Sequence, residues 1–170
     1  MAILEIVNYP DQRLREECED ITEFNQEIKT LAKDMAETMY EAPGVGLAGP
    51  QVGVLKNIIV LDQYSGSEEH DNELLTLINP RIVKTEGDKV SSEEGCLSIP
   101  GLKETVKRFE KVNVLAQDIN GEEVKIEADN FLSIILQHEI DHLNGILFID
   151  HLSRLKQRMV KSKIKKMYAA

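Results

Sequence analysis

The stretch Gln137-His138-Glu139-Ile140-Asp141-His142 constrains this chain more than any other. It sets an H-E-x-x-H pattern directly after Phe131-Leu132-Ser133-Ile134-Ile135-Leu136, a run with the length and composition of a buried helix. Residues four apart on a helix share a face, so His138 and His142 point the same way, ~6 Å apart at the backbone. Two imidazoles at that spacing can bind one metal ion, and Glu139 lies close enough to act on a water the ion holds. The alternative is a helix that merely carries two histidines. The chain has only 4 histidines, however. Burying Glu139 beside two of them without a cation would cost several kcal/mol with no visible compensation.

Such a helix needs a core around it. At 170 residues and 42% hydrophobic, the chain suits one globular domain over residues 1–170. No stretch approaches the ~20 apolar residues of a membrane span, and Met1-Ala2-Ile3-Leu4-Glu5 lacks a signal-peptide layout. Cys18 and Cys96 lie far apart and outside any C-x-x-C pattern, which argues against a disulfide framework and for a reducing cytoplasm. The charge is uneven. Residues 151–170 carry 7 basic side chains and no acidic ones, so the first 150 hold 13 basic and 30 acidic groups, a net of −17.

Along the chain, a short helical piece is expected around Leu14. A longer helix should run from Asn25 to Glu41, with Ile28, Leu31, Ala32, Met35 and Met39 on one face and Pro43-Gly44 as its stop. Gly44 to Gly53 contains four glycines but lacks a Gly-Lys-Ser/Thr ending and a leading strand, so a phosphate loop is excluded. A connector, or a loop whose backbone passes close to a ligand, remains. Gln51 is the side chain there able to donate hydrogen bonds. Asn57 to Leu61 and Leu74 to Val83 read as strands, the second interrupted by Pro80, with Gly87-Asp88 as a turn and His70 in a polar surface loop. Val112, Val114 and Ala116, then Val124, Ile126 and Ala128, alternate with polar residues around Asn120-Gly121, a hairpin. Asp129 or Asn130 should cap the histidine helix, Asn144-Gly145 end it, and Ser153 to Met167 form a basic helix. The order gives an α+β fold: a central H-E-x-x-H helix packed among small antiparallel sheets, with an N-terminal and a C-terminal helix.

A metal on two histidines needs a third ligand. Cys96, in Glu94-Gly95-Cys96-Leu97-Ser98, offers a thiolate suited to borderline and soft cations, against the common alternative of a buried, inert cysteine. H-E-x-x-H peptidases raise other ligand sets. Phe148 stands where a metzincin has its third histidine, and no glutamate follows Glu139. Asp150 or His151 could complete a peptidase site, and that reading stays open.

Three segments together resemble the peptide deformylase family: Gly44 to Gln51, Glu94 to Ser98, and Gln137 to His142, in the family's order. The likeness starts at Asp11-x-x-Leu14-Arg15 and runs to the end. One departure is Gly49, where the family's loop usually has alanine; a retuned loop with function intact is expected. The resemblance implies Cys96, His138 and His142 as metal ligands, Glu139 as general base and then acid, and the Gln51 amide and Leu97 N–H as oxyanion donors. It implies a backbone contact from Gly46 to the substrate, a methionine pocket lined by Val45, Phe131, Ile134 and Ile135, and an ion pair of Arg108 with Asp141 behind the ligands.

The reaction it implies is removal of the formyl group from formyl-methionine of nascent chains, with release of formate. A bound cation would bring the pKa of water toward about 7, and one oxyanion donor is typically worth about 3–4 kcal/mol. One divalent ion per chain follows, Fe(II) in the cell and zinc, nickel or cobalt by exchange. The same resemblance has the C-terminal helix dock on the ribosome, here through Arg154, Lys156, Lys161, Lys163, Lys165 and Lys166, because the acidic body would be repelled by RNA. No membrane and no sequence-specific nucleic acid is expected as a partner. Two other classes compete: the Asp150 or His151 peptidase, and a non-catalytic metal-binding or ribosome-associated module, against which Glu139 and Gln51 speak.

Overall fold

The computed structural model describes residues 2–169. Helix α1 (Gln26–Glu41) begins where Asn25 Oδ1 accepts the Ile28 N–H at 3.2 Å, and it buries Ala32, Met35, Ala36 and Met39. Short strands β1 (Gly46–Ala48) and β2 (Ile58–Leu61) follow, joined through a 3-10 turn at Gly49–Val52. The long strands β3 (Leu75–Cys96) and β4 (Ile99–Gln117) form a hairpin, β5 (Glu123–Asp129) returns along β4, and α2 (Asn130–Leu143) and α3 (Arg154–Ala169) complete the chain.

The small sheets expected from sequence are one sheet of 5 antiparallel strands in the order β1-β2-β3-β4-β5. The fold class is α+β, as read. What joins the sheets is the length of β3 and β4, which bend at register shifts instead of ending. Gly87-Asp88 is therefore no turn. It lies inside β3 at the shift between Glu86 and Lys89, and the chain reverses at Leu97-Ser98. Pro80 is accommodated at the shift between Ile78 and Arg81, where no ladder N–H is required of it.

Helix α2 lies against the sheet, burying Ile135, Leu136, Ile140 and Leu143 among Ile59, Leu61, Leu77, Val112 and Val114. Gln137 fixes its position, accepting the Phe109 N–H at 2.9 Å and donating to the Phe109 carbonyl at 2.8 Å. Asp129 occupies the N-cap but its side chain makes no capping bond. Helix α3 buries Val160 and Ile164 against Ile99, Leu102 and Phe148, while Leu155 and Met159 stay exposed. No helix among the described residues is long and apolar enough to cross a membrane.

Candidate metal centre and active-site cavity

Three ligand atoms, from Cys96, His138 and His142, lie within 4.8 Å of one another. Cys96 comes from the end of β3, His138 from the second half of α2 and His142 from its last turn. Cys96 Sγ is 3.4 Å from His142 Nε2. Ligand atoms arranged tetrahedrally about an ion at ~2.0–2.3 Å stand ~3.3–3.8 Å apart, a range that the Cys96–His142 separation meets. A thiolate with two imidazoles is also the donor chemistry of a borderline divalent ion.

The two imidazoles are held differently. His138 Nδ1 pairs with Glu94 Oε1 at 2.8 Å, which leaves Nε2 as its remaining donor atom. Burial alone would drive its proton off, but Cys96, Glu139 and Glu94 around it raise its pKa well above the ordinary value. For His142, burial and the positive charge near it push the pKa well down, and Nδ1 has no partner among the described residues. Its ring rests edge-on to His138 at 5.0 Å between centroids, and Phe148 packs on the other ring at 5.9 Å.

Behind His138 runs a chain of charges. Arg108 is 3% exposed and grips Glu94 with two bonds of 2.8 and 2.9 Å. Its Nη1 donates to Asp141 at 2.6 Å, and His151 Nε2 meets the same carboxylate oxygen at 2.8 Å. Burial would raise the Glu94 pKa, but Arg108 and His138 hold it at about 2. Arg108, read as a partner of Asp141, is thus bound most fully to Glu94, which the sequence reading missed. A signal existed: Glu94 and Cys96 are two apart on one strand and so share a face.

Glu139 is 4% exposed, and its Oε1 has no partner among the described residues. Burial lifts its pKa to about 7, the strongest influence among several. Gly46 lies against it so closely that a Cβ there would stand 2.5 Å from Glu139 Oε2. Gln51 is locked in place: Oε1 accepts the Ala48 N–H at 2.9 Å, and Nε2 donates to Ser98 Oγ at 3.1 Å and toward Cys96 Sγ at 3.4 Å. The departure at Gly49 has a local cause. A Cβ there would meet the carbonyl oxygens of Val54 and Lys56 at 2.6 and 2.7 Å. Alanine would push the 54–56 segment away, so the glycine matches a closer approach of that loop.

These groups open into a cavity of about 940 Å³. Val45, Gly46, Gln51, Cys96, Leu97, Phe131, Ile134, Ile135, His138 and Glu139 all line it, together with Ile6, Leu102, Lys103 and Lys163, which the sequence reading left out of the site. Asp150 and His151 are elsewhere. Asp150 Oδ1 takes Arg15 Nη2 at 3.0 Å and its Oδ2 takes the Leu147 N–H at 2.9 Å, while His151 is spent on Asp141. The peptidase reading therefore lacks its third ligand.

An α+β scaffold that brings a cysteine, two buried imidazoles and a buried, unpartnered carboxylate together beside one cavity defines a metal-dependent hydrolase. The family model described as polypeptide deformylase matches residues 3–158. A peptide deformylase of Desulfotalea psychrophila is 49% identical over 99% of this chain and 98% of its own length. One from Thermodesulfovibrio yellowstonii is 51% identical over 97% and 98%. The crystal structure of a peptide deformylase from Legionella pneumophila superimposes with a TM-score of 0.90 at 43% identity, covering 99% of this chain and 96% of that one. The chain belongs to the polypeptide deformylase family.

Proposed function

We propose that residues 1–170 act as one domain that hydrolyses the formamide of formyl-methionyl peptides and nascent chains in the cytoplasm. The observation that carries this is the convergence of Cys96 with the buried His138 and His142, beside a buried Glu139 whose Oε1 has no partner among the described residues. Cys96, His138 and His142 would hold one divalent ion, with Fe(II) as the resident metal and zinc, nickel or cobalt as exchangeable substitutes. When bound, such an ion supplies Lewis acidity toward water and a carbonyl oxygen.

The chain's own groups divide the remaining work. Glu139 Oε1 takes a proton from the attacking water, whose oxygen bonds to the formyl carbon. Gln51 Nε2 and the Leu97 N–H donate to the oxygen on which charge then collects. Glu139 returns the proton to the amine nitrogen as the C–N bond breaks, giving formate and a free N-terminus. Val45, Phe131, Ile134 and Ile135 would seat the methionine side chain, Gly46 would pair with the peptide backbone, and Arg108 with Asp141 would steady the carboxylate on His138.

The test is formate release from formyl-Met-Ala-Ser by anaerobically purified protein, with metal analysis of the same sample. Cys96→Ala should lose both metal and turnover, whereas Cys18→Ala should keep both. A metal-replete, active Cys96→Ala protein would sink this ligand set.

Ribosome docking through α3 is part of the same proposal, and the helix geometry sharpens it. Lys156 is engaged by Glu104 at 3.2 Å and Lys163 faces the cavity. Arg154, Arg158, Lys161 and Lys165 fall on one exposed stripe at helical spacing, beside the face that buries Val160 and Ile164. Reversing these four charges should abolish low-salt co-sedimentation with ribosomes; undiminished binding would return the stripe to plain solvation. Truncation is a poorer test, because it strips Val160 and Ile164 from the cluster that includes Cys96.

A further inference from the structure

The cavity extends past what one formyl-methionine needs, and its outer rim is where this chain departs from an apolar slot. Three charged residues line that rim: Glu93 on β3, Lys103 on β4 and Lys163 on α3. All three are exposed, and none forms a salt bridge with another described residue. Two ammonium groups thus face one carboxylate, on a body whose first 150 residues carry 13 basic and 30 acidic groups. A local cationic patch on an anionic protein is read by whatever charge comes within a Debye length of it, ~8 Å at physiological salt. Acidic groups farther off than that are screened more strongly than the rim's own charges.

The position of Lys163 is fixed by packing. Val160 and Ile164 are buried beside Ile99 and Leu102, so α3 crosses the start of β4. Two further contacts set its register. Lys156 Nζ reaches Glu104 at 3.2 Å, and a Cβ built on Gly101 would stand 2.9 Å from Met167 Cε. Lys156 and Lys163 are two turns apart on the same face. One is neutralised by Glu104; the other lines the cavity and forms no salt bridge with a described residue.

We propose that Lys163 and Lys103 form a carboxylate-recognition rim, which makes this chain favour formyl-peptides bearing an anionic group two or three residues after the formyl-methionine. The proposal rests on the deformylase reading above. It gives α3 a part in substrate choice, separate from any part in docking. The carboxylate can belong to an Asp or Glu side chain or to a short peptide's own C-terminus, and the two sources bind by the same chemistry.

The experiment compares kcat/KM, by formate release, for formyl-Met-Ala-Glu, formyl-Met-Ala-Gln and formyl-Met-Ala-Lys, each as the C-terminal amide, and for the Gln peptide with a free carboxylate. Exposed ion pairs are individually weak, so the Glu peptide should lead the Gln peptide by about two- to fivefold. The preference should sit mainly in KM and fade at high salt. A matching lead for the free-acid Gln peptide assigns recognition to any carboxylate at that distance, whereas a lead for the Glu amide alone assigns it to the side chain. Lys163→Glu should bring the Glu-to-Gln ratio below one and raise the Lys-to-Gln ratio, and Lys103→Glu should act in the same direction. Lys33→Glu, the same charge change on exposed α1, controls for the overall field. Equal kcat/KM across all peptides, or a ratio moved as much by Lys33→Glu as by Lys163→Glu, overturns the rim. No formate from formyl-Met-Ala-Ser would instead overturn the deformylase reading, and the rim with it.

Discussion

The inner and outer ends of the cavity hold their charges under opposite rules. At the inner end, Glu94, Arg108 and His138 are each less than a tenth exposed and bound to one another, with Asp141 and His151 closing the chain toward solvent. At the outer end, Glu93, Lys103 and Lys163 are exposed and unpaired among the described residues. Buried charges must be paired because desolvation costs several kcal/mol per ion, so removing one partner is severe. Exposed charges cost little to hold and return about 1 kcal/mol or less. The proposed chemistry would therefore sit where substitution is ruinous, and the proposed selection where substitution is cheap.

The largest expected effect breaks the inner end at its carboxylate with no partner among the described residues. Glu139→Ala should keep one metal per chain and lose kcat by about 10²–10⁴-fold, since the ligands survive and the proton carrier does not. Near wild-type turnover in the metal-replete variant would remove Glu139 from the reaction.

Next comes the charge network. Arg108→Met leaves Glu94 and Asp141 without their guanidinium and should destabilise the fold by about 3–5 kcal/mol at neutral pH, read as a lowered Tm. The pH dependence follows from Glu94, whose pKa is lowered from 4.5 to about 2. A depressed carboxylate pKa contributes stability that is present above 4.5 and lost as pH falls toward about 2. The gap between wild type and Arg108→Met should therefore narrow as the pH is taken down through that window. A gap independent of pH would mean that packing, not charge, is what Arg108 contributes.

Gln51→Leu separates a transition-state donor from a bystander. It should cut kcat by about 10²–10³-fold with little change in KM. Because the Ala48 N–H loses its acceptor, a drop in Tm of separate origin should accompany it. An unchanged kcat with a raised KM would reassign Gln51 to ground-state binding.

The smallest effect belongs to the mouth. Phe131 is 46% exposed, so only part of its apolar surface is available to a methionine side chain. Phe131→Ala should raise KM by roughly fivefold, the equivalent of about 1 kcal/mol of partial burial, with kcat nearly constant. A loss of kcat to match that of Gln51→Leu would erase the division between the two ends.

Much of the site could be read before folding because its parts are local. H-E-x-x-H places two candidate ligands and a carboxylate by helical repeat alone, and Glu-Gly-Cys puts a thiol beside a glycine. Asn25, Asn144 and Gly145 mark helix ends by backbone chemistry that any fold would respect. What escaped is whatever depends on distant segments meeting. Its spacing from Cys96 hints that Glu94 lies near the site, but nothing local announces that its carboxylate will hold His138 from 44 residues away and be held in turn by Arg108. Gly87-Asp88 has a turn's composition, yet it became a bulge because β3 had a partner strand to continue along. Leu155 and Met159 have the hydrophobicity of core residues, but α3 docks through Val160 and Ile164, since the surface offered by Ile99, Leu102 and Phe148 meets that face. The sequence by itself determined the H-E-x-x-H helix and the candidate groups it carries, because both are set within a few turns of chain. The tertiary structure decided which charges are buried together, which lysines reach the cavity and which helix face is left to solvent, because desolvation and packing are properties of neighbours in space.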